Sequence, residues 1–208
     1  DLHLSIRRQR QMCIRDSSNA VYNLTKTVPC NYWIQDFDTV EDINVGTQLY
    51  NIEDIGKLKT TATLNHITQY NKELNIVQSN SKYTGVTQDI MIAALDNMAT
   101  RKEMFEAWKL RETRELFIDA RLRANFYEIF TVTPGESEDK YENTLFKDDE
   151  VESSPCTFKS TAYFGMLCGA RITQVIVNYL SNKYSEDKIY SVPFEIREFG
   201  DLMFFETK

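Results

Sequence analysis

An α/β fold with a mostly parallel sheet and flanking helices is what this chain predicts, and three observations carry the expectation. Short aromatic and β-branched runs alternate with stretches of helical spacing, the pattern of a parallel sheet. The run Ile90, Met91, Ile92, Ala93, Ala94, Leu95 is unbroken apolar, as expected of a strand buried on both faces. Two acids, Asp36 and Asp96, stand at the ends of such runs, and in open α/β sheets ligands sit beyond the carboxyl ends of strands.

Along the chain, residues 18–26 read as a helix, and Tyr32, Trp33 and Ile34 as a strand that delivers Asp36 to a sheet edge. Residues 57–69 are a helix with Leu58, Ala62, Leu64 and Ile67 as its apolar positions, residues 73–78 a short strand, and residues 79–86 a polar loop. The buried strand follows and ends at Asp96 and Asn97. Residues 98–110 form a helix with Met98, Phe105, Trp108 and Leu110 as core contacts. Residues 115–119 and 124–133 supply two more strands. Residues 134–155 turn acidic and mostly loop-like, with Glu136, Glu138, Asp139, Glu142, Asp148, Asp149, Glu150 and Glu152. A helix then carries Phe164, Leu167, Cys168, Ile172, Val175 and Tyr179 on its apolar side, and its Gly165 and Gly169, four apart, permit close approach of another element. Residues 188–206 look like a C-terminal β-hairpin across Gly200 and Asp201.

Composition narrows the function classes. The chain has 24 Lys and Arg against 31 Asp and Glu, net −7. Leaving out residues 1–17, with Arg7, Arg8, Arg10 and Arg15 against Asp1 and Asp16, makes the rest more acidic still. A nucleic-acid binder would carry a basic face, so none is expected as a partner. No apolar run reaches the roughly 18 residues of a membrane helix, so a cytoplasmic protein with no membrane association is expected. With one histidine, His66, outside the first 17 residues, a histidine triad or metal cluster is not expected. Cys30, Cys156 and Cys168 include no C-x-x-C pair, so neither disulfides nor a structural zinc site is expected.

The chemistry-bearing stretches are DFDTVEDINVGTQLYNIEDIGKLK, from Asp36 to Lys59, and ALDNMATR, from Ala94 to Arg101. An acid at the end of a strand can accept hydrogen bonds from both ribose hydroxyls, which makes Asp36 the ribose candidate; as turn or capping acids, Asp36 and Asp38 have a plainer explanation. The carboxylate of Asp96 can hold magnesium, a hard cation that takes one or two carboxylates plus substrate phosphates, or it can simply cap the next helix.

With Asp36-Phe37-Asp38-Thr39-Val40, then Asn44, Gln48, Gly56 and Lys59, then Asp96-Asn97 and Arg101, the chain resembles the ThiF/MoeB/HesA family, prokaryotic relatives of ubiquitin-activating enzymes, over roughly residues 18–183. The resemblance implies a Rossmann-like fold and ATP-dependent adenylation of the C-terminal carboxylate of a small ubiquitin-like or sulfur-carrier protein. By the same resemblance Asp36 holds the ribose, Asn44, Gln48 and Lys59 lie along the phosphates, Asp96 binds magnesium, and a homodimer is the default. It also puts Cys156 at the loop-to-helix junction where some relatives carry a reactive thiol; a helix N-terminus and Lys159 would favour its thiolate, and a small residue packed at a helix start accounts for it equally well. The acidic stretch corresponds to a crossover loop beside the partner's entry, or is a solvated loop.

Two departures stand out. Relatives carry an arginine before the glutamine, where this chain has Thr47; Arg101, Arg121 and Arg123 are the candidate substitutes. The first strand and the glycine-rich turn about 20 residues before the ribose acid are expected to be missing, since no glycine precedes Gly46. In their place Arg7 to Ser17, RRQRQMCIRDS, resembles the in-frame translation of a common transposase-based sequencing adapter. Residues 1–17 are therefore set aside from the fold, and residues 18–208 read as one domain. An adenylyltransferase is the expected function; a non-catalytic nucleotide-binding or interaction module of the same fold is the alternative that Thr47 keeps open.

Overall fold

The computed structural model describes residues 3–8, 16–95, 97–123, 126–146, 162–187 and 189–208, without the side chains of residues 3–8, 16, 17, 123 and 201. The strands are β1 (His3–Arg8), β2 (Asn31–Asp36), β3 (Ile76–Ser79), β4 (Ile90–Ala93), β5 (Leu116–Arg123), β6 (Phe126–Val132), β7 (Glu195–Phe199) and β8 (Phe204–Thr207). The helices are α1 (Asp16–Thr27), α2 (Lys59–Thr68), α3 (Met98–Lys109), α4 (Glu136–Glu142) and α5 (Ala162–Tyr184). One sheet runs in the order β3-β2-β1-β4-β5-β6-β7-β8.

From β3 through β5 neighbouring strands are parallel. From β5 onward they are antiparallel. The change of direction has a local cause: only residues 124 and 125 separate β5 from β6, and a parallel return needs a crossover of about a dozen residues or more. The expected C-terminal hairpin is β7 and β8.

Each face of the sheet carries its own core, and β4 shows why. Its residues alternate, Ile90 and Ile92 packing with α1 and α5 through Leu24, Phe164 and Ile172, while Met91 and Ala93 pack with α3 and α4 through Phe105, Trp108 and Tyr141. A strand covered on both sides must be apolar at every position, and each buried Ile or Met side chain contributes about 1.5–3 kcal/mol. On β5 the same alternation sends Leu116, Ile118 and Ala120 toward α1 and α5 and Phe117 toward α3.

Gly169 of α5 serves packing inside the chain. A Cβ on Gly169 would lie 2.6 Å from Cβ of Asn19 and 2.8 Å from the backbone nitrogen of Ala20, so α1 is the element that glycine lets approach. The carboxyl end of α1 is in turn held to β2: the Tyr32 hydroxyl donates to the carbonyls of Leu24 (2.8 Å), which also accepts the Val28 N–H (2.8 Å), and of Val28 (2.5 Å).

Several expectations need correction. The first strand is not missing, because His3–Arg8 occupies the slot between β2 and β4, with Ile6 level with Ile34 and Ile92. A strand in that slot satisfies the facing backbone groups of both neighbours. The acidic stretch is not all loop: Glu136–Glu142 is helical, with Tyr141 buried against Phe105 and Phe117. Leu110 is 86% exposed because it lies past the last turn of α3, where Met104 takes the expected core position. Leu167 is exposed, one step round α5 from the buried Cys168.

Candidate functional site

The order of strands reverses between β1 and β4, so the carboxyl ends of β1, β2 and β4 border a topological switch point, where open α/β sheets bind ligands. Asp36 stands there as the last residue of β2 and is buried. Its Oδ1 accepts the Asp38 N–H at 2.8 Å, an Asx-type turn that swings the chain off the sheet.

The excursion that follows is closed at its neck. Val40 N–H donates to the Lys57 carbonyl (2.8 Å), Gly56 N–H to Val40 (2.9 Å), and Lys59 N–H to Asp38 (2.9 Å), around a bridge between Thr39 and Leu58. Side chains repeat the connection, with Lys59 Nζ 3.1 Å from Asp38 Oδ2 and both side chains nearly buried. The pair joins the start of the excursion to the first residue of α2. Val40, Tyr50 and Ala62 form a small core under the loop.

Within the excursion Asn44 ends a short 3₁₀ turn and its side-chain oxygen accepts the Glu41 N–H at 2.9 Å. What Asn44 can offer a ligand is therefore its amide NH₂. Gly46, at φ +81°, makes the turn a side chain would strain. Thr47, where relatives carry arginine, is buried and donates to the Ile43 carbonyl at 2.8 Å. Gln48 is buried beside it, its N–H donating to Asn44 at 2.9 Å.

The structure thus brings Asp36, Asp38 and Lys59 together at the neck, with Asn44 and Gln48 on the loop above it. Asp96 and Cys156 lie outside the described residues, as does the acidic segment 147–161. Two of the substitute cations proposed for Thr47 are committed elsewhere. Arg101 is bound to Asp119 and to the carbonyls of Leu95 and Ala120, and Arg121 reaches Asp119 (2.8 Å) and Thr144 (3.0 Å). The side chain of Arg123 is not described. In α4, Glu138 pairs with Arg114 at 2.9 Å and Glu142 with Lys109, so part of the acidic charge is answered within the chain.

Sequence reasoning missed two parts of the support. Gln35, beside Asp36, donates to the carbonyls of Ser81 (3.1 Å) and Lys82 (2.6 Å), fastening the 79–86 loop to the end of β2. Asp54 accepts from Asn51 N–H (2.9 Å) and Lys57 Nζ (3.1 Å) and meets His66 Nε2 at 2.7 Å, joining the loop to α2. Burial pushes the Asp54 carboxyl up, but the Asn51 amide, Lys57 and His66 outweigh it and hold the group below the usual aspartate range. The adjacency of Gln35 to the ribose candidate was the one available signal; nothing in the spacing pointed to Asp54 and His66.

The groups at this edge are the carboxylates of Asp36 and Asp38, the ammonium of Lys59 and the amide of Asn44. Among the described residues no three His, Cys, Asp or Glu side chains gather as a metal site of their own.

The fold is an open α/β domain whose strand order reverses between β1 and β4. The ThiF family matches residues 20–199, and the chain belongs to that family. Solved structures with the same fold include E. coli MccB with succinimide (15% identity, TM-score 0.73) and E. coli MccB with ATP (15%, 0.69), each covering all of this chain and 63% of the other. PaaA is similar at 12% identity and TM-score 0.69, covering all of this chain and 72% of its own. The chain therefore spans less than two thirds of the MccB length. Curated proteins gave no match.

Proposed function

We propose that this domain binds ATP and adenylates the terminal carboxylate of a small ubiquitin-like or sulfur-carrier protein or peptide. The observation that carries the proposal is the buried Lys59–Asp38 pair at the neck of the loop, beside Asp36 at the switch point. Family membership and the structures of MccB with ATP and with MccA support it.

Asp36 accepts from the ribose hydroxyls, and Asn44, Gln48 and Lys59 line the phosphates. Asp38 holds the Lys59 side chain in place. Asp96 would hold a magnesium ion, which when bound would neutralise phosphate charge. An oxygen of the partner's carboxylate attacks the α-phosphorus as the bond to the bridging oxygen of pyrophosphate breaks, giving an acyl adenylate and free pyrophosphate. Lys59 stabilises the charge that gathers on the leaving oxygens. Thr47 adds no charge, so turnover is slower than with arginine at that position. Cys156 is assigned a later step in which its thiolate attacks the acyl carbon of the adenylate, forming a thioester as the bond to AMP breaks and AMP is released.

Residues 1–17 are assigned to adapter-derived sequence, of which His3–Arg8 takes the first-strand position in the sheet and the rest stands where a glycine-rich turn is expected. An uninterrupted read of the parent locus should show a glycine-rich turn about 20 residues before Asp36; a read that reproduces Arg7 to Ser17 sinks the assignment. A homodimer is assigned to the exposed apolar residues Tyr163, Met166, Leu167 and Val177 of α5 together with Leu202 to Phe205, and a monomeric mass by light scattering would overturn it.

Exchange of labelled pyrophosphate into ATP tests the chemistry. Exchange that depends on a candidate small protein is expected from the parent chain. ATP binding with no exchange would favour the non-catalytic module that Thr47 suggests.

A further inference from the structure

We propose that His66 is a positioning residue whose contact with Asp54 holds the loop between β2 and α2 ready for nucleotide phosphates; this rests on the ATP-binding function above. Lys59, Ala62, Thr63 and His66 stand at i, i+3, i+4 and i+7 of α2, the spacing of a single helix face. Each of them meets the loop. Lys59 pairs with Asp38 at 3.1 Å at the neck, Ala62 packs with Val40 and Tyr50, the Thr63 and Tyr50 hydroxyls lie 3.3 Å apart, and His66 Nε2 lies 2.7 Å from Asp54 Oδ2. Asn44 and Gln48, the residues assigned to the phosphates, fall between Val40 and Tyr50 in the chain. The segment that carries them is therefore gripped at both ends by α2, and His66 is the contact farthest along the helix from the neck.

The turn around Asp54 does not need His66 for its shape. Asp54 accepts from the Asn51 N–H at 2.9 Å and from Lys57 Nζ at 3.1 Å, partners within three residues in sequence. What His66 adds is the link from that turn to the helix, and Asn51 follows Tyr50 directly. A loop tied only at its neck must be ordered as a ligand binds, which weakens binding, whereas a loop fixed beforehand avoids that cost. The difference falls on ligands that use the loop. ATP brings β- and γ-phosphates to it, and AMP has the same base, ribose and α-phosphate without them. Loss of the tie should therefore weaken ATP more than AMP.

The test is calorimetric titration of ATP and of AMP, each with magnesium, into the unsubstituted protein and into His66→Leu, His66→Gln and Tyr32→Phe, with circular dichroism melting as the check on folding. His66→Leu, which has no polar group for Asp54, is expected to weaken ATP about tenfold, the scale of one hydrogen bond to a charged group, and AMP less than about threefold. His66→Gln, whose side-chain amide donates toward Asp54 in place of the ring, is expected to keep ATP within about threefold. Tyr32→Phe, which loosens β2 from α1 and leaves α2 untouched, is expected to keep the ratio of ATP to AMP affinity unchanged. Unchanged ATP affinity in folded His66→Leu overturns the proposal, as do equal losses of ATP and AMP, which mean general loosening. The same selective loss in Tyr32→Phe, or in His66→Gln, overturns it too, because the bond to Asp54 is then not the cause. Failure of His66→Leu to fold where Tyr32→Phe folds makes His66 a folding residue and also overturns it. Absence of ATP binding by the unsubstituted protein is a different result, because it removes the ATP-binding function itself and the proposal with it.

Discussion

Asp38 and Lys59 are separated by 20 intervening residues and meet at 3.1 Å with little solvent about them. Two buried charges are stable only as a pair, and removing one partner costs about 3–5 kcal/mol because the other is left uncompensated. Asp38→Ala is therefore expected to lose stability on that scale in denaturant unfolding, and Asp38→Ala with Lys59→Met to lose less than Asp38→Ala alone; additive losses would mean that the pair is not coupled. Asp54 makes a pH prediction. Its carboxyl is held below the usual range, so folding binds fewer protons than unfolding there, and its contribution is complete above the unfolded value, about pH 4. That contribution falls away as pH drops from there through the lower folded value. Asp54→Asn is expected to flatten the acid limb of a melting-temperature profile relative to the unsubstituted protein, and an unchanged limb would contradict the assignment.

At the scale of elements, the contact between α1 and α5 is set by a missing side chain. Gly169→Ala places a methyl within 2.6 Å of Asn19 Cβ and 2.9 Å of its carbonyl carbon, and overpacking of this kind costs about 1–3 kcal/mol. Chemical denaturation should report it, and a neutral substitution would mean that α1 is free to shift. Tyr32→Phe removes the hydroxyl that ties the end of α1 to β2, with an expected loss of about 1–2 kcal/mol. The helices and strands were legible in the sequence where periodicity was strong: Ile90 to Leu95 could only be a strand covered on both faces, and α2 and α3 lie within two residues of where their spacing put them. Less legible were features set by distant partners. Arg101 looked like a cation for the phosphates, and it turns instead onto an Asp119 that local pattern could not bring near. Helix α4 was hidden because its acids suggest a solvated loop until Tyr141 finds Phe105. The site itself was half legible: strand-end acids announce themselves, whereas the Lys59–Asp38 pair depends on a loop closure that no period encodes.

For the whole molecule, the eight-stranded sheet gives one edge to β3 and the other to β8, and α1 and α5 share one face while α3 and α4 take the other. Among the described residues no helix is long and apolar enough to cross a membrane. The surface left over is acidic by composition, which favours a partner with a basic docking patch; raising the ionic strength should weaken partner-dependent pyrophosphate exchange and leave ATP binding nearly unchanged. Everything in the proposed chemistry depends on ATP entering at the carboxyl ends of β2 and β4 with Lys59 on its phosphates. Calorimetric titration of ATP and magnesium into the protein, unsubstituted and as Asp36→Asn and Lys59→Arg, addresses that directly, with melting curves verifying that each variant is folded. Binding by the unsubstituted protein, weakened about tenfold or more in each variant, an energy of about 1.4 kcal/mol, is the expected result; equal binding by all three would contradict it.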